Sequence, residues 1–138
     1  MRPKSLLLAA TIVVGLAAPA MAQQPTLHRF ITLFKFNGQA IKSLVETPQD
    51  REAAVAKVSE QFGGKLEALY MFPFSNEFDG MMIIQAANDA AMEKINLVVR
   101  SSGSFERLQV TEVLTPAEFK TALEAAKQGA ASFTTPGK

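Results

Sequence analysis

Few side chains in this chain could carry chemistry. His28 is the only histidine in the 138 residues, and there is no cysteine. An imidazole with an ordinary pKa of about 6.5 can act as acid, base or axial ligand near neutral pH. The alternative for His28 is an exposed place at a strand end. Asp79 stands between Phe78 and Gly80 at the head of an apolar run. In a cleft its pKa would rise and suit it to proton transfer; in a turn its carboxylate would accept backbone N–H bonds, the common role of Asp before Gly. Glu77, two residues earlier, could complete an acid–base pair or simply be solvated. Tyr70, the only tyrosine, stands with Phe72, Phe74, Phe78, Met71, Met81 and Met82 in one short stretch. Such residues line pockets for apolar or planar ligands, and they equally build cores and subunit contacts.

Other chemistries lack their residues. Zinc and iron sites want three or four convergent His, Cys or carboxylate ligands, so no metal and no cofactor is expected. No serine sits in a nucleophile-elbow pattern. Gly63-Gly64 has no Lys-Ser or Lys-Thr after it in the frame of a phosphate loop.

The elements that must position these residues can be read from periodicity. Leu27 to Phe36 is rich in aromatic and β-branched residues and ends at Asn37-Gly38, so it reads as a strand closed by a turn. Gln39 to Val45 suits a short helical segment. Thr47 then reads as an N-cap, Pro48 as the first helical position and Asp50 as a first-turn carboxylate. Ala54, Val55, Val58 and Phe62 follow at helical spacing, stopped by Gly63-Gly64. Lys65 to Phe74 and Asp79 to Ala87 form a hairpin, with Pro73 kept to a strand end or a sheet edge because it cannot donate to a ladder. Asn88 caps a second long helix with Met92, Ile95, Val98 and Val99 as its stripe. Phe105 to Leu114 is a fourth strand. Thr115-Pro116-Ala117-Glu118 is a capping box opening a last helix through about Lys127.

Strand, helix, strand, strand, helix, strand is the split βαβ plan, so the fold class is α+β: a ferredoxin-like βαββαβ unit with a four-stranded antiparallel sheet, helices on one face and an extra C-terminal helix. The strands conflict with a lone copy of that plan. Ile31 and Leu33 oppose Phe30, Thr32, Phe34 and Phe36, and Met81 and Ile83 oppose Met82 and Ile84, so both sheet faces are apolar. A face without helices then needs a second sheet, most simply that of another copy related by a two-fold axis.

The N-terminal residues read as an address. Arg2 and Lys4 precede the apolar run Leu6 to Ala18, and Ala20-Met21-Ala22 has the small-x-small pattern of a signal-peptidase site. Residues 1–22 are thus expected to be a signal peptide, 23–128 the domain and 129–138 a flexible tail. A retained anchor is the alternative, although the run is shorter than the roughly 20 residues that span a bilayer. The mature chain is expected to be periplasmic or secreted, with no stable membrane insertion. Cleavage removes two of the 14 basic residues, leaving 12 against 13 acidic ones, a formal charge of −1. Charges of both signs are interspersed, which argues against nucleic acid as a partner.

Leu33-Phe34-Lys35-Phe36 followed by Gln39-Ala40-Ile41-Lys42, then Thr47-Pro48 with Arg51, Gly63-Gly64-Lys65, Tyr70 and Phe78-Asp79 together resemble the GYD domain family, from about Leu27 to Ala126. That resemblance implies a dimeric α+β barrel, in which ferredoxin-like sheets pair face to face. The family's Gly-Tyr-Asp corresponds to Glu77-Phe78-Asp79, so only the aspartate is kept and a hydroxyl donor is lost. Two functions remain open at this point. One is an exported homodimeric module that binds a small apolar ligand through Tyr70, Phe72, Phe78 and Met81, or is purely structural. The other is a cofactor-free oxygenase or isomerase using Asp79 or His28 for proton transfer.

Overall fold

The computed structural model describes residues 26–130 and residue 132. The expected leader lies outside the described residues, as does the expected tail beyond Ala130 apart from residue 132. Alternation makes β1 (His28–Phe36) a two-faced ribbon. Phe30, Thr32, Phe34 and Phe36 are buried on one side, while Ile31 and Leu33 are only half-buried on the other. In β3 (Gly80–Ala86), Met82, Ile84 and Ala86 are buried and Met81 and Ile83 half-buried. With β2 (Lys65–Met71) and β4 (Phe105–Val113) the sheet has the order β2-β3-β1-β4, every neighbouring pair antiparallel. That is the ferredoxin-like order expected from the element sequence.

Three helices pack on the Phe30 side: α1 (Gly38–Glu46), α2 (Arg51–Gln61) and α3 (Asp89–Ser101). Val55 of α2 and Met92 and Ile95 of α3 enter the same core as the even-numbered residues of β1 and β3. Phe34, Phe36 and Phe105 form an aromatic cluster with ring centroids 5.1 to 5.9 Å apart. Each such side chain contributes roughly 1.5–3 kcal/mol by leaving water. Thr32 is the exception on this face, because its buried hydroxyl has no partner among the described residues.

Local signals account for most helix ends. Asn88 caps α3 by accepting from Ala91 N at 2.9 Å. Gly63 takes φ +72 after α2, where a side chain would be strained. Gly64 does a different job: a Cβ there would lie 2.7 Å from the Gln85 carbonyl, so its bareness lets α2 approach β3 closely. The start of α2 departs from expectation. Asp50, accepting from Ala53 N at 3.2 Å, is its N-cap, and Thr47 instead closes α1 through its N–H to the Ser43 carbonyl at 2.9 Å. Pro48 holds Thr47 out of the helical region, so α1 must stop there and α2 restarts three residues on. Asn37 likewise caps α1, accepting from Ala40 N at 2.9 Å, and does not form a free-standing turn. The last helix, α4 (Pro116–Ala130), runs three residues past its expected end and buries none of its side chains.

Candidate functional site

The sheet carries polar groups at both ends, about 26 Å of β1 apart. At the β1 start, His28 Nδ1 lies 2.6 Å from Glu112 Oε1, across from the end of β4. Held this way, a neutral ring that donates from Nδ1 keeps Nε2 as its proton acceptor. The hydrogen bond to Glu112 raises the His28 pKa above its ordinary value; partial desolvation opposes it, and the charges of Glu112, Asp89 and Glu118 add to it. Beside it, on the opposite face, Arg29 makes a two-pronged contact with Glu67 at 2.6 and 2.8 Å, and Gln85 donates to the same carboxylate. The Arg29 hydrogen bond holds Glu67 below the usual carboxylate range against some desolvation.

Glu118 completes this end. It accepts from the Thr115 N–H at 2.6 Å and the Thr115 hydroxyl at 2.8 Å, while its own N–H donates to that hydroxyl at 3.2 Å, the reciprocal capping box expected from sequence. Those bonds hold its pKa down. His28, Arg29, Gln85, Glu112 and Glu118, with Leu114, line an open cleft of about 260 Å³. A second cleft, of about 290 Å³, lies between α1, the start of α2 and the segment before β4, and is lined by Gln39, Ser43, Gln49, Arg51, Ser102 and Ser104.

At the far end Asp79 has another task. Its Oδ2 accepts from the Phe36 N–H at 2.8 Å, its N–H donates to the Phe34 carbonyl at 2.8 Å, and its carbonyl accepts from the Phe72 N–H at 2.7 Å. The residue therefore clips β1 to the β2–β3 loop. Asp79 and His28 do not converge, and Glu77 lies instead 3.7 Å from Arg107. Phe78 is buried with the Arg107 guanidinium 4.9 Å over its ring, so the position that carries tyrosine in the GYD pattern serves packing here.

The four expected ligand residues separate into two places. Tyr70 and Met81 are cross-strand partners on the open sheet face, beside Ile83, which pairs with Ala68 and Ile31. Phe72 and Phe78 belong to the loop at the Asp79 end, and Phe74 at its tip is 97% exposed. Sequence reasoning missed Glu112 and Glu67 as the partners of His28 and Arg29. Among the described residues no group of three or more His, Asp or Glu could hold a metal ion, and no helix is long and apolar enough to cross a membrane.

The model of the GYD domain matches residues 30–123. The chain belongs to the GYD domain family. This GYD domain is similar in structure to the 30S ribosomal protein S6 of Thermotoga maritima, at 14% identity and a TM-score of 0.41, over 77% of this chain and 99% of that one. It is also similar to an amidase of the hydantoinase/carbamoylase family from Burkholderia multivorans, at 13% identity and a TM-score of 0.31. There the match covers 75% of the GYD domain's chain and spans 32% of the amidase. No curated protein sequence matches the chain.

Proposed function

We propose that this GYD domain is an exported homodimeric module whose two open sheet faces stack and hold a small apolar ligand between them. One observation carries the reading. Ile31, Leu33, Met81 and Ile83, extended by Ala68 and Tyr70, form an apolar strip on the face opposite α1, α2 and α3. A strip of that kind on a solitary domain leaves apolar area in water at about 25 cal/mol per Å². Stacking two copies removes it, and the Tyr70 hydroxyl supplies a polar anchor for a bound molecule. Native mass spectrometry of residues 23–138 tests this directly, with twice the chain mass expected, together with any retained ligand. A bare monomer at micromolar concentration overturns the reading. Export is tested separately by expressing the full chain in a bacterium, where the processed product is expected to begin at Gln23.

A second reading, proton-transfer catalysis of the cofactor-free type, is favoured by the Glu112-oriented imidazole of His28 in its cleft. It drops Asp79, whose carboxylate is engaged by the Phe36 amide. His28→Gln separates the two, since it leaves a binding module intact and abolishes such catalysis.

A further inference from the structure

Besides the open face, α4 presents an apolar surface that the described residues leave uncovered. Phe119, Ala122, Leu123, Ala126 and Ala130 recur at i, i+3, i+4, i+7 and i+11, which puts them on one stripe of the helix. Phe119 and Leu123 are 55% and 54% exposed. Pro116 and the Thr115–Glu118 capping box fix the start of the helix. It is a well-begun amphipathic helix that buries none of its side chains against the described residues.

Its polar face narrows the choice of partner. Glu118 and Glu124 balance Lys120 and Lys127, with Lys120 3.7 Å from Glu124. A helix that lies on a lipid surface carries a basic polar face, which this one lacks. Among the described residues, Leu27 and Leu114 are exposed at the His28 end, where α4 begins, while the larger exposed apolar set near the sheet is Tyr70, Met71 and Phe74, at the β2 edge and the loop after it. The sheet order puts β2 and β4 at opposite edges, about 14 Å apart, so α4 leaves from the wrong side to cover them.

A two-fold axis between stacked sheets and parallel to the strands exchanges those edges, setting β2 of one copy over β4 of the other. The geometry points to α4 as an arm that packs its Phe119–Leu123 stripe against the β2 edge and the Met71–Phe74 segment of a second copy. This deepens the dimer reading and rests on it. The dimensions agree. From the Arg29–Val113 level, where α4 departs, to the Phe34–Gly80–Met71 level is five residues of strand, about 17 Å. The 15 residues of α4 span about 22 Å. Area bears on it too. A four-stranded face of seven-residue strands is roughly 400 Å² in flat projection, to which side-chain relief adds, and each partner of a stable complex buries about 800 Å² of accessible surface. Two reciprocal arms supply much of the difference, each contact being made twice as two-fold symmetry requires.

The absence of cysteine from the sequence makes the test clean. Phe74→Cys and Leu123→Cys are made separately in residues 23–138, mixed, and oxidised under mild conditions. A disulfide-linked dimer is expected from the mixture in several-fold excess over either variant alone. Phe119→Asp is expected to raise the dimer dissociation constant about tenfold or more, the loss of one well-buried aromatic anchor, with an unchanged circular dichroism spectrum. A dimer by native mass spectrometry with no excess cross-link overturns the arm and leaves the stacked dimer standing. A monomer overturns both. Co-sedimentation with phosphatidylglycerol vesicles that Phe119→Asp abolishes would assign α4 to a lipid surface and also overturn the arm.

Discussion

The two ends of this sheet use similar residues for opposite purposes. At the Asp79 end a carboxylate accepts from a backbone amide, a glycine admits a close approach, and an aromatic ring is buried beneath an arginine. At the His28 end Glu112 and Glu67 bind other side chains, and the paired groups are partly exposed to water. The first arrangement fixes where the chain goes. The second leaves groups that can titrate, re-pair and meet a ligand without disturbing the fold. Asp79, an acidic residue that looks reactive in sequence, is thus tied into the backbone, whereas His28 keeps a position open to chemistry.

The sharpest way to break that contrast is Gly80→Ala. A Cβ there would lie 2.4 Å from the Tyr70 carbonyl and 2.5 Å from Phe34 Cζ, so backbone and core must both shift. A loss of about 3 kcal/mol is expected by urea denaturation. A substitution costing nothing would show that this end is not tightly built. Asp79→Ala should cost less, about 1–2 kcal/mol, because it strands the Phe36 N–H in a half-buried place. The smallest effect belongs to the other end. By NMR the His28 pKa should lie above its ordinary value and fall towards it in Glu112→Gln, with a small drop in the denaturation midpoint below about pH 6.5 that fades as the pH rises. The sign follows from linkage. A histidine raised on folding contributes stability that is fully present below its unfolded pKa of about 6.5 and lost as pH rises through the folded value. A His28 pKa that ignores Glu112→Gln would dissolve the pair on which the catalytic reading depends.

What could be read in advance depended on distance along the chain. Asn88 capping α3, Gly63 ending α2 and the Thr115–Glu118 box are all bonds within a few residues, and the sequence pattern states them outright. The alternation in β1 and β3 was equally legible, because strand faces depend only on parity. The partners of His28 and Arg29 were not, since Glu112 and Glu67 lie 84 and 38 residues away and are chosen by strand register. Asn37 shows how the two scales mix. Its Asn-Gly signal reads locally as a turn, yet its side-chain amide donates to the Gly103 carbonyl 66 residues on, and that tether helps make it a helix cap. Asp50 displaced Thr47 for a local reason, as α1 ran one residue further than the pattern of Gln39 to Val45 suggested and used Thr47 for its own end.

Edge strand β2 has a register shift between Leu66 and Ala68, which leaves Glu67 without a cross-strand partner and turns its carboxylate to Arg29 and Gln85. An extra residue in an edge ladder twists it, and a charge at the kink penalises any strand that tries to add there. The consequence concerns what this chain does when concentrated. Growth by edge-on strand addition, the route to fibres, is obstructed along this edge, where the kink and the Glu67 charge stand beside the exposed Tyr70 and Met71.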